Sequence, residues 1–188
     1  MDAVSLDASF DADFVAKIQE ESEQNLSLCY QCGNCTAGCP LNFVYDIPVS
    51  QIMRLAQAGQ KTKILRSHSM WLCASCESCT VRCPNLIDVA RIMDCLRHMA
   101  RREGYVAERP VKTFWDAFLA SVRKHGRAFE MGLVATYMMK SGRVLTDVDV
   151  APHMLKSKKL SLKPHNIQGV QEMEKIFKRF VEQGGTVA

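Results

Sequence analysis

Two short runs of cysteine are the residues best suited to chemistry in this 188-residue chain. The first run consists of Cys29, Cys32, Cys35 and Cys39, and the second of Cys73, Cys76, Cys79 and Cys83. Each run has the spacing C-x2-C-x2-C-x3-C and is followed directly by a proline. The runs hold eight of the nine cysteines, and clustered thiolates are soft metal ligands. The spacing therefore predicts two thiolate metal centres.

The spacing suits an iron–sulfur cluster because a cubane needs four thiolates that converge on different iron corners. Two-residue gaps let a curled loop present three of them, and the proline after the fourth cysteine turns the chain away. The run resembles that of bacterial ferredoxins, in which the fourth cysteine ligates the other cluster. This resemblance implies two [4Fe–4S] clusters with crossed ligands. Cluster 1 would take Cys29, Cys32, Cys35 and Cys83, and cluster 2 would take Cys73, Cys76, Cys79 and Cys39.

Zinc is the rival metal, but four-cysteine zinc sites usually consist of two C-x2-C pairs separated by a dozen or more residues. Disulfides are also disfavoured, because the acidic N-terminus, Met1 to Asp13, lacks the basic start of a signal peptide. The expected location is therefore the reducing cytoplasm. The longest nearly uncharged apolar stretch, Met131–Met139, is too short to span a bilayer, so no membrane association is expected.

Charge and motifs exclude several other functions. The formal net charge is +4, but two clusters with four thiolates each would contribute about −4. The lysines between Lys156 and Lys163 lack interleaved aromatic residues, so no nucleic-acid partner is expected. The sequence contains no G-x-G-x-x-G, P-loop or Ser/His/Asp pattern. We therefore predict no catalytic residue, and no role for any histidine.

Hydrophobic periodicity predicts a mostly α fold. Expected helices begin after Asp11 or Asp13 and cover 47–59 (capped by Asp46), 61–67, 88–102 (capped by Asp88), 110–126, 128–141 and 167–182. Residues 143–166 are expected to be irregular. The segment 47–56 also matches 87–96, so the repeat comprises a cysteine loop and a helix. Cys95 falls on Leu55 in this repeat, which predicts a core position.

The expected organisation is an α-helical ferredoxin-like domain with two cluster loops, residues 1–108, and a helical extension for partner docking, residues 109–188. In the extension, the aromatic side chains of Phe114, Trp115 and Phe118 are expected to face inward, as stripes at helical spacing usually do.

The two cluster runs, the helix between them and a helical extension containing Pro-His-Met-Leu-Lys (152–156) resemble the C-type subunit of heterodisulfide reductase. The resemblance extends from about Asp13 to Phe180. It implies that the chain relays electrons between two other proteins, an A-type flavin-containing iron–sulfur subunit on one side and a catalytic B-type subunit with Cys-Cys-Gly motifs on the other. This chain has no Cys-Cys pair, so the resemblance places the catalytic chemistry on another chain.

Two alternatives remain open from the sequence. The chain could be the iron–sulfur subunit of a respiratory dehydrogenase of the glycolate or glycerol-phosphate type, although those generally carry Cys-Cys-Gly motifs in the same chain. It could also be a non-redox scaffold that the clusters only brace.

Overall fold

The computed structural model describes residues 10–143, 151–157, 161, 163–183 and 185. Over these residues the chain is helical, without a strand, which confirms the predicted mostly α fold. The chain divides into two compact units, Met1–Glu108 and Arg109–Ala188. None of the described helices has the length and apolar character needed to cross a bilayer.

The first unit contains seven described helices and two 3-10 turns, at Leu26–Leu28 and Asn42–Val44. The helices are α1 (Ala12–Ser22), α2 (Asn34–Ala37), α3 (Val49–Gln57), α4 (Lys61–Leu65), α5 (Ser69–Leu72), α6 (Ser78–Val81) and α7 (Val89–Arg102). The short helices α2 and α6 lie inside the two cysteine runs, so each run is one turn of helix preceded by a curled loop.

Helix α7 is the centre of this unit, and its sequence explains why it forms. The Asp88 side chain accepts a hydrogen bond from the backbone N–H of Arg91 at 2.9 Å, which caps the helix as predicted. Arg101 and Arg102 in the last turn complement the helix dipole. The helix contacts α1, α4, α5 and α6. Its fully buried face includes Ile92, Leu96 and Ala100.

Helix α3 begins at Val49 rather than at residue 47, and the predicted cap by Asp46 is wrong. Asp46 instead accepts hydrogen bonds from the hydroxyls of Ser67 (2.7 Å), which precedes α5, and Ser69 (2.6 Å), the first residue of α5. Burial works in the opposite direction, but these hydrogen bonds lower the pKa of Asp46 to about 2. Asp46 is therefore ionised at neutral pH and fixes the chain that leads into the second cysteine run.

The second unit contains α8 (Arg109–His125), α9 (Glu130–Ser141), α10 (Ala151–Lys156) and α11 (Val170–Glu182). Helices α9 and α11 both contact α8, and Arg123 on α8 pairs with Glu174 on α11. Helix α11 begins three residues later than predicted, because Gly169 has a left-handed backbone (φ 85°). Ile167 instead lies against Gly126, where a Cβ would clash with it.

Two expectations for the second unit need correction. Helix α10 lies within the segment predicted to be irregular, and it contains the Pro152–Lys156 motif. Residues 144–150 and the lysines at 158 and 159 lie outside the described residues. Phe114 and Trp115 are 41% and 40% exposed, because they pack mainly on each other and on Phe118 and Tyr137. They form a surface cluster and not an enclosed core.

Candidate metal centre

The two cysteine loops have the same backbone conformation. The residue before the second cysteine of each run is left-handed, Gln31 (φ 63°) and Ser75 (φ 48°). The residue after the second cysteine of each run is also left-handed, Gly33 (φ 80°) and Glu77 (φ 62°). A left-handed backbone is unfavourable for residues other than glycine, so three of these four positions are strained. Such turns point successive backbone N–H groups inward and form a concavity that suits an anionic group.

The structure gathers the eight cysteines around two cavities. Cavity 1 is lined by Cys29, Cys32, Cys35 and Cys83. Cavity 2 is lined by Cys39, Cys73, Cys76 and Cys79. In each cavity, three cysteines come from one run and the fourth comes from the other run. This is the same grouping that the ferredoxin resemblance implies.

The donor set of each cavity fits a four-iron cluster. Among the described residues, no three His, Cys, Asp or Glu side chains converge on the position of one metal ion. Thiolates around a single zinc would lie about 3.8 Å apart, given a Zn–S bond of about 2.3 Å. Thiolates that each bind a different iron of a cubane lie farther apart. They are connected to one another through the atoms of the cluster and not through one shared metal ion.

The surroundings of the thiols make a free thiolate costly at several positions. Burial raises the pKa of Cys35. Burial, followed by the charge of Cys73, raises the pKa of Cys79 to about 11. Cys76 differs, because it is exposed and a hydrogen bond with Ser78 lowers its pKa. A bound metal overcomes such costs, since coordination deprotonates a thiol outright.

A pair of equivalent residues ties each loop to the helix that follows it. The Gln57 amide on α3 donates to the carbonyls of Leu26 and Cys29, both at 2.8 Å. The Arg97 guanidinium on α7 donates to the carbonyls of Met70 and Cys73, also both at 2.8 Å. The bonded carbonyls are those of the first cysteine of each run and of the residue three positions before it. The two contacts therefore repeat, but one tether is neutral and the other is cationic.

A second repeated contact joins the end of each run to the same helices. The Thr36 hydroxyl accepts from the backbone N–H of Ser50 at 2.8 Å, and the Thr80 hydroxyl accepts from that of Ala90 at 3.1 Å. Each threonine follows the third cysteine of its run and satisfies an N–H in the first turn of the next helix. Together with Gln57 and Arg97, these threonines fix the loops to α3 and α7.

The sequence analysis did not select Gln57, Arg97, Thr36 or Thr80. They could have been found from the repeat, because its cysteine runs and its helices have two different spacings. The cysteine runs are 44 residues apart (29 to 73), whereas the helices are 40 apart (47 to 87). Pairing residues by these two offsets matches Thr36 with Thr80 and Gln57 with Arg97. It does not show that these side chains reach back to the loops.

Two tyrosines also lie beside the cysteines. Tyr45 is half-buried and lines cavity 2 together with Cys39 and Cys73. Burial, followed by the charges of these cysteines, raises the pKa of Tyr45 well above its usual range. Its hydroxyl therefore remains protonated and can donate. Tyr30, beside Cys32, is 63% exposed.

Cys95 is 7% exposed, and its repeat equivalent, Leu55, is 8% exposed. The predicted core position is thus confirmed. The sulfur lies 3.9 Å from a carboxylate oxygen of Glu21. Burial, and after it the charge of Glu21, raises the pKa of Cys95 to about 12. Cys95 is therefore a protonated thiol at neutral pH.

Cys95 should resist alkylation in the folded protein. Because its folded pKa lies above that of an unfolded thiol, the associated stability is complete below about pH 9 and is lost as the pH rises through about 12. Mass spectrometry after iodoacetamide treatment of the holo-protein at pH 8 should therefore find Cys95 unmodified. Cys95→Ala should leave the iron content unchanged. Rapid, stoichiometric labelling of the folded protein would show that this thiol is accessible.

Comparison with known proteins also indicates a chain that binds iron–sulfur clusters. Residues 16–88 match the family model described as "4Fe-4S dicluster domain". The chain is 33% identical over 99 residues to the C-type subunit of H(2):CoB-CoM heterodisulfide,ferredoxin reductase from Methanothermobacter thermautotrophicus, covering 53% of this chain and 54% of that protein. It is 31% identical over 115 residues to the iron–sulfur C-type subunit of CoB--CoM heterodisulfide reductase from Methanopyrus kandleri, covering 57% and 60% of the two chains. Over about half of its length, the chain is thus similar to C-type subunits of heterodisulfide reductases.

The chain spans about half the length of the curated relatives it matches. A further relative, the C-type subunit of Ferredoxin:CoB-CoM heterodisulfide reductase from Methanosarcina acetivorans, is 35% identical over 92 residues, which cover 49% of this chain and 37% of the relative. These alignments are shorter than the stretch from Asp13 to Phe180 over which the sequence resembles the family. The dicluster match supports iron–sulfur clusters as the cofactor of this chain.

Proposed function

We propose that this chain is the electron-transfer subunit of a heterodisulfide-reductase-type complex. It carries electrons through two [4Fe–4S] clusters, with a flavin-containing iron–sulfur protein on one side and a catalytic Cys-Cys-Gly protein on the other. The observation that carries the proposal is the presence of two four-cysteine cavities in one unit, in a homologue of the C-type reductase subunit. Two such sites in one chain are what a relay requires.

The proposed ligand sets are the crossed ones. Cys29, Cys32, Cys35 and Cys83 hold cluster 1, and Cys73, Cys76, Cys79 and Cys39 hold cluster 2. The grouping of cysteines around the two cavities supports this assignment. Because each cluster then joins both runs, binding either cluster holds the two halves of the repeat together.

When bound, each [4Fe–4S] cluster supplies a one-electron redox couple, and the residues of this chain hold it and limit its contact with water. Apolar side chains cover the inner side of both cavities, Met53, Ile87 and Val89 in cavity 1 and Val49, Ala90 and Met93 in cavity 2. Cys32 and Cys76 are exposed on the outer side. Each centre therefore has a buried side that positions it and an open side from which a partner can exchange electrons.

Exposed apolar side chains beside the loops support docking of partner proteins there. Phe43, three residues after Pro40, is 82% exposed, and Leu86, two residues after Pro84, is 88% exposed. Leu28, Tyr30 and Val44, which lie in or beside the first run in sequence, are also exposed, and large exposed apolar patches are typical of interaction surfaces. We also propose docking on residues 109–188, where Ile176 and Val181 on α11 are each 50% exposed.

Native affinity capture tests this proposal. A tagged copy of the chain is expressed in its own host and captured anaerobically, and the co-purifying proteins are identified by mass spectrometry. We expect a flavoprotein and a protein with Cys-Cys-Gly motifs. Phe43→Ser and Leu86→Ser should each reduce the capture of at least one of these partners without changing the iron content.

Cys95→Ala is the matched control in this experiment, because Cys95 is buried and not part of the proposed docking surface, and the substitution removes only one sulfur atom. Recovery of a glycolate-type or glycerol-phosphate-type dehydrogenase would replace the proposed complex with a respiratory one. Capture of no redox partner by a fully loaded chain would contradict the relay function.

A further inference from the structure

The two centres differ first in the placement of a tyrosine beside each of them. Half-buried Tyr45 lines cavity 2 together with Cys73 and Cys39, which come from different runs. Tyr30 belongs to the first run but does not line cavity 1. Since Tyr30 is 63% exposed, water competes for its hydroxyl. The donor beside cavity 2 is therefore the stronger of the two.

The centres also differ in charge. Gln57 and Arg97 occupy equivalent positions and bind equivalent carbonyls, at 2.8 Å in each case. The neutral amide is beside the first cysteine of cavity 1, and the cation is beside the first cysteine of cavity 2. The Arg97 side chain is only 17% exposed, so its field is weakly screened.

Two carboxylates near cavity 2 oppose the effect of Arg97 but do not cancel it. Asp94 lies 3.3 Å from the Arg97 guanidinium and its side chain is 41% exposed. Glu77 lines the cavity but is exposed. Water screens both charges more than that of Arg97. Cavity 1 has the more buried cysteine, Cys35, and burial disfavours the added negative charge of a reduced cluster.

We propose that Tyr45 and Arg97 make the cluster held by Cys39, Cys73, Cys76 and Cys79 the higher-potential member of the pair. A reduced cluster carries one more negative charge than an oxidised one. Hydrogen bonds to its sulfurs and a nearby cation therefore stabilise the reduced form more and raise its potential. Both residues act as positioning and tuning groups and are not ligands. The inference rests on the proposed relay function and its crossed ligand sets.

An anaerobic redox titration of the full-length holo-protein, followed by electron paramagnetic resonance, tests this order. Cys76→Ser and Cys32→Ser identify the signals, because each replaces one exposed ligand and should alter only the couple of its own cluster. In the unmodified chain, the couple altered by Cys76→Ser should be the one at higher potential.

Tyr45→Phe and Arg97→Gln should each move that couple to lower potential. Arg97→Gln installs the residue that already makes the same contacts at position 57, so the loop should remain tethered. We expect each variant to lower the ratio of reduced to oxidised cluster 2, at a fixed ambient potential, by about tenfold. Tenfold corresponds to about 59 mV for a one-electron couple. Tyr30→Phe is the matched control and should move the cluster 1 couple by less.

The inference is overturned if the couple altered by Cys76→Ser is the lower one in the unmodified chain. It is also overturned if neither Tyr45→Phe nor Arg97→Gln moves that couple while both variants keep their full iron content. In those cases the relay function stands, because both clusters still titrate reversibly. If neither cluster of the unmodified chain is reversibly reduced, the proposed function fails and this inference fails with it.

Discussion

Cys39→Ala is expected to remove the cluster whose other ligands are Cys73, Cys76 and Cys79, and to spare the cluster built mainly on its own run. The purified variant should retain about half of the iron of the unmodified chain, because one of two equal clusters is lost. The physical reason is the position of Cys39, which lines cavity 2 and not cavity 1. Iron analysis and electron paramagnetic resonance measure the loss.

Double variants identify which cluster remains. Adding Cys76→Ala to Cys39→Ala should cause no further loss of iron, because both cysteines serve the same cluster. Adding Cys32→Ala should remove the remaining iron. Cys83→Ala is the mirror variant, and there the roles of Cys32 and Cys76 should be exchanged. If Cys39→Ala and Cys32→Ala prove to affect the same cluster, the crossed ligand sets are wrong.

Leu96→Ala is expected to destabilise the first unit strongly. Leu96 is fully buried on α7, and truncating such a leucine typically costs about 2–5 kcal/mol of unfolding free energy. That is a large part of the total for a domain of this size. Thermal melting of the holo-protein, followed by circular dichroism and by the visible absorbance of the clusters, should show a midpoint lower by roughly 10 °C or more.

Arg91→Ala is the control on the same helix. Its side chain is 46% exposed and pairs with Glu23, which is 72% exposed, so the pair should contribute about 0–1 kcal/mol. The two optical signals of Leu96→Ala should be lost together, because α7 carries both the core and the tether to the second loop. An unchanged midpoint for Leu96→Ala would show that the α7 core does not stabilise the cluster unit.

The cysteine runs, the helix from Val89 to Arg102 and the core position of Cys95 could be predicted from the sequence. These features depend on local information. The spacing of thiolates, an N-cap at Asp88 and the period of buried residues all act within a few residues of one another. The repeat added a second copy of the same information, which is why Cys95 could be placed by comparison with Leu55.

The features that were missed or wrongly predicted depend on which distant segments meet. Asp46 looked like a helix cap, but its partners Ser67 and Ser69 are about 20 residues away. Tyr45 gave no signal of its own, because its role depends on the second run folding back beside the first. Phe114 and Trp115 have the helical spacing of residues that face a core. Whether they are buried depends on the surface that packs against them, and helical spacing does not identify that surface.

Anaerobic reconstitution with iron and sulfide, followed by metal analysis and a reductive titration, tests the central claim most directly. The account predicts two [4Fe–4S] clusters per chain, each reduced reversibly by one electron. Because the proposed crossed ligand sets would make the clusters close neighbours, their magnetic signals should interact when both are reduced. Incorporation of zinc in place of iron, a single cluster per chain, or clusters that cannot be reduced reversibly would contradict it.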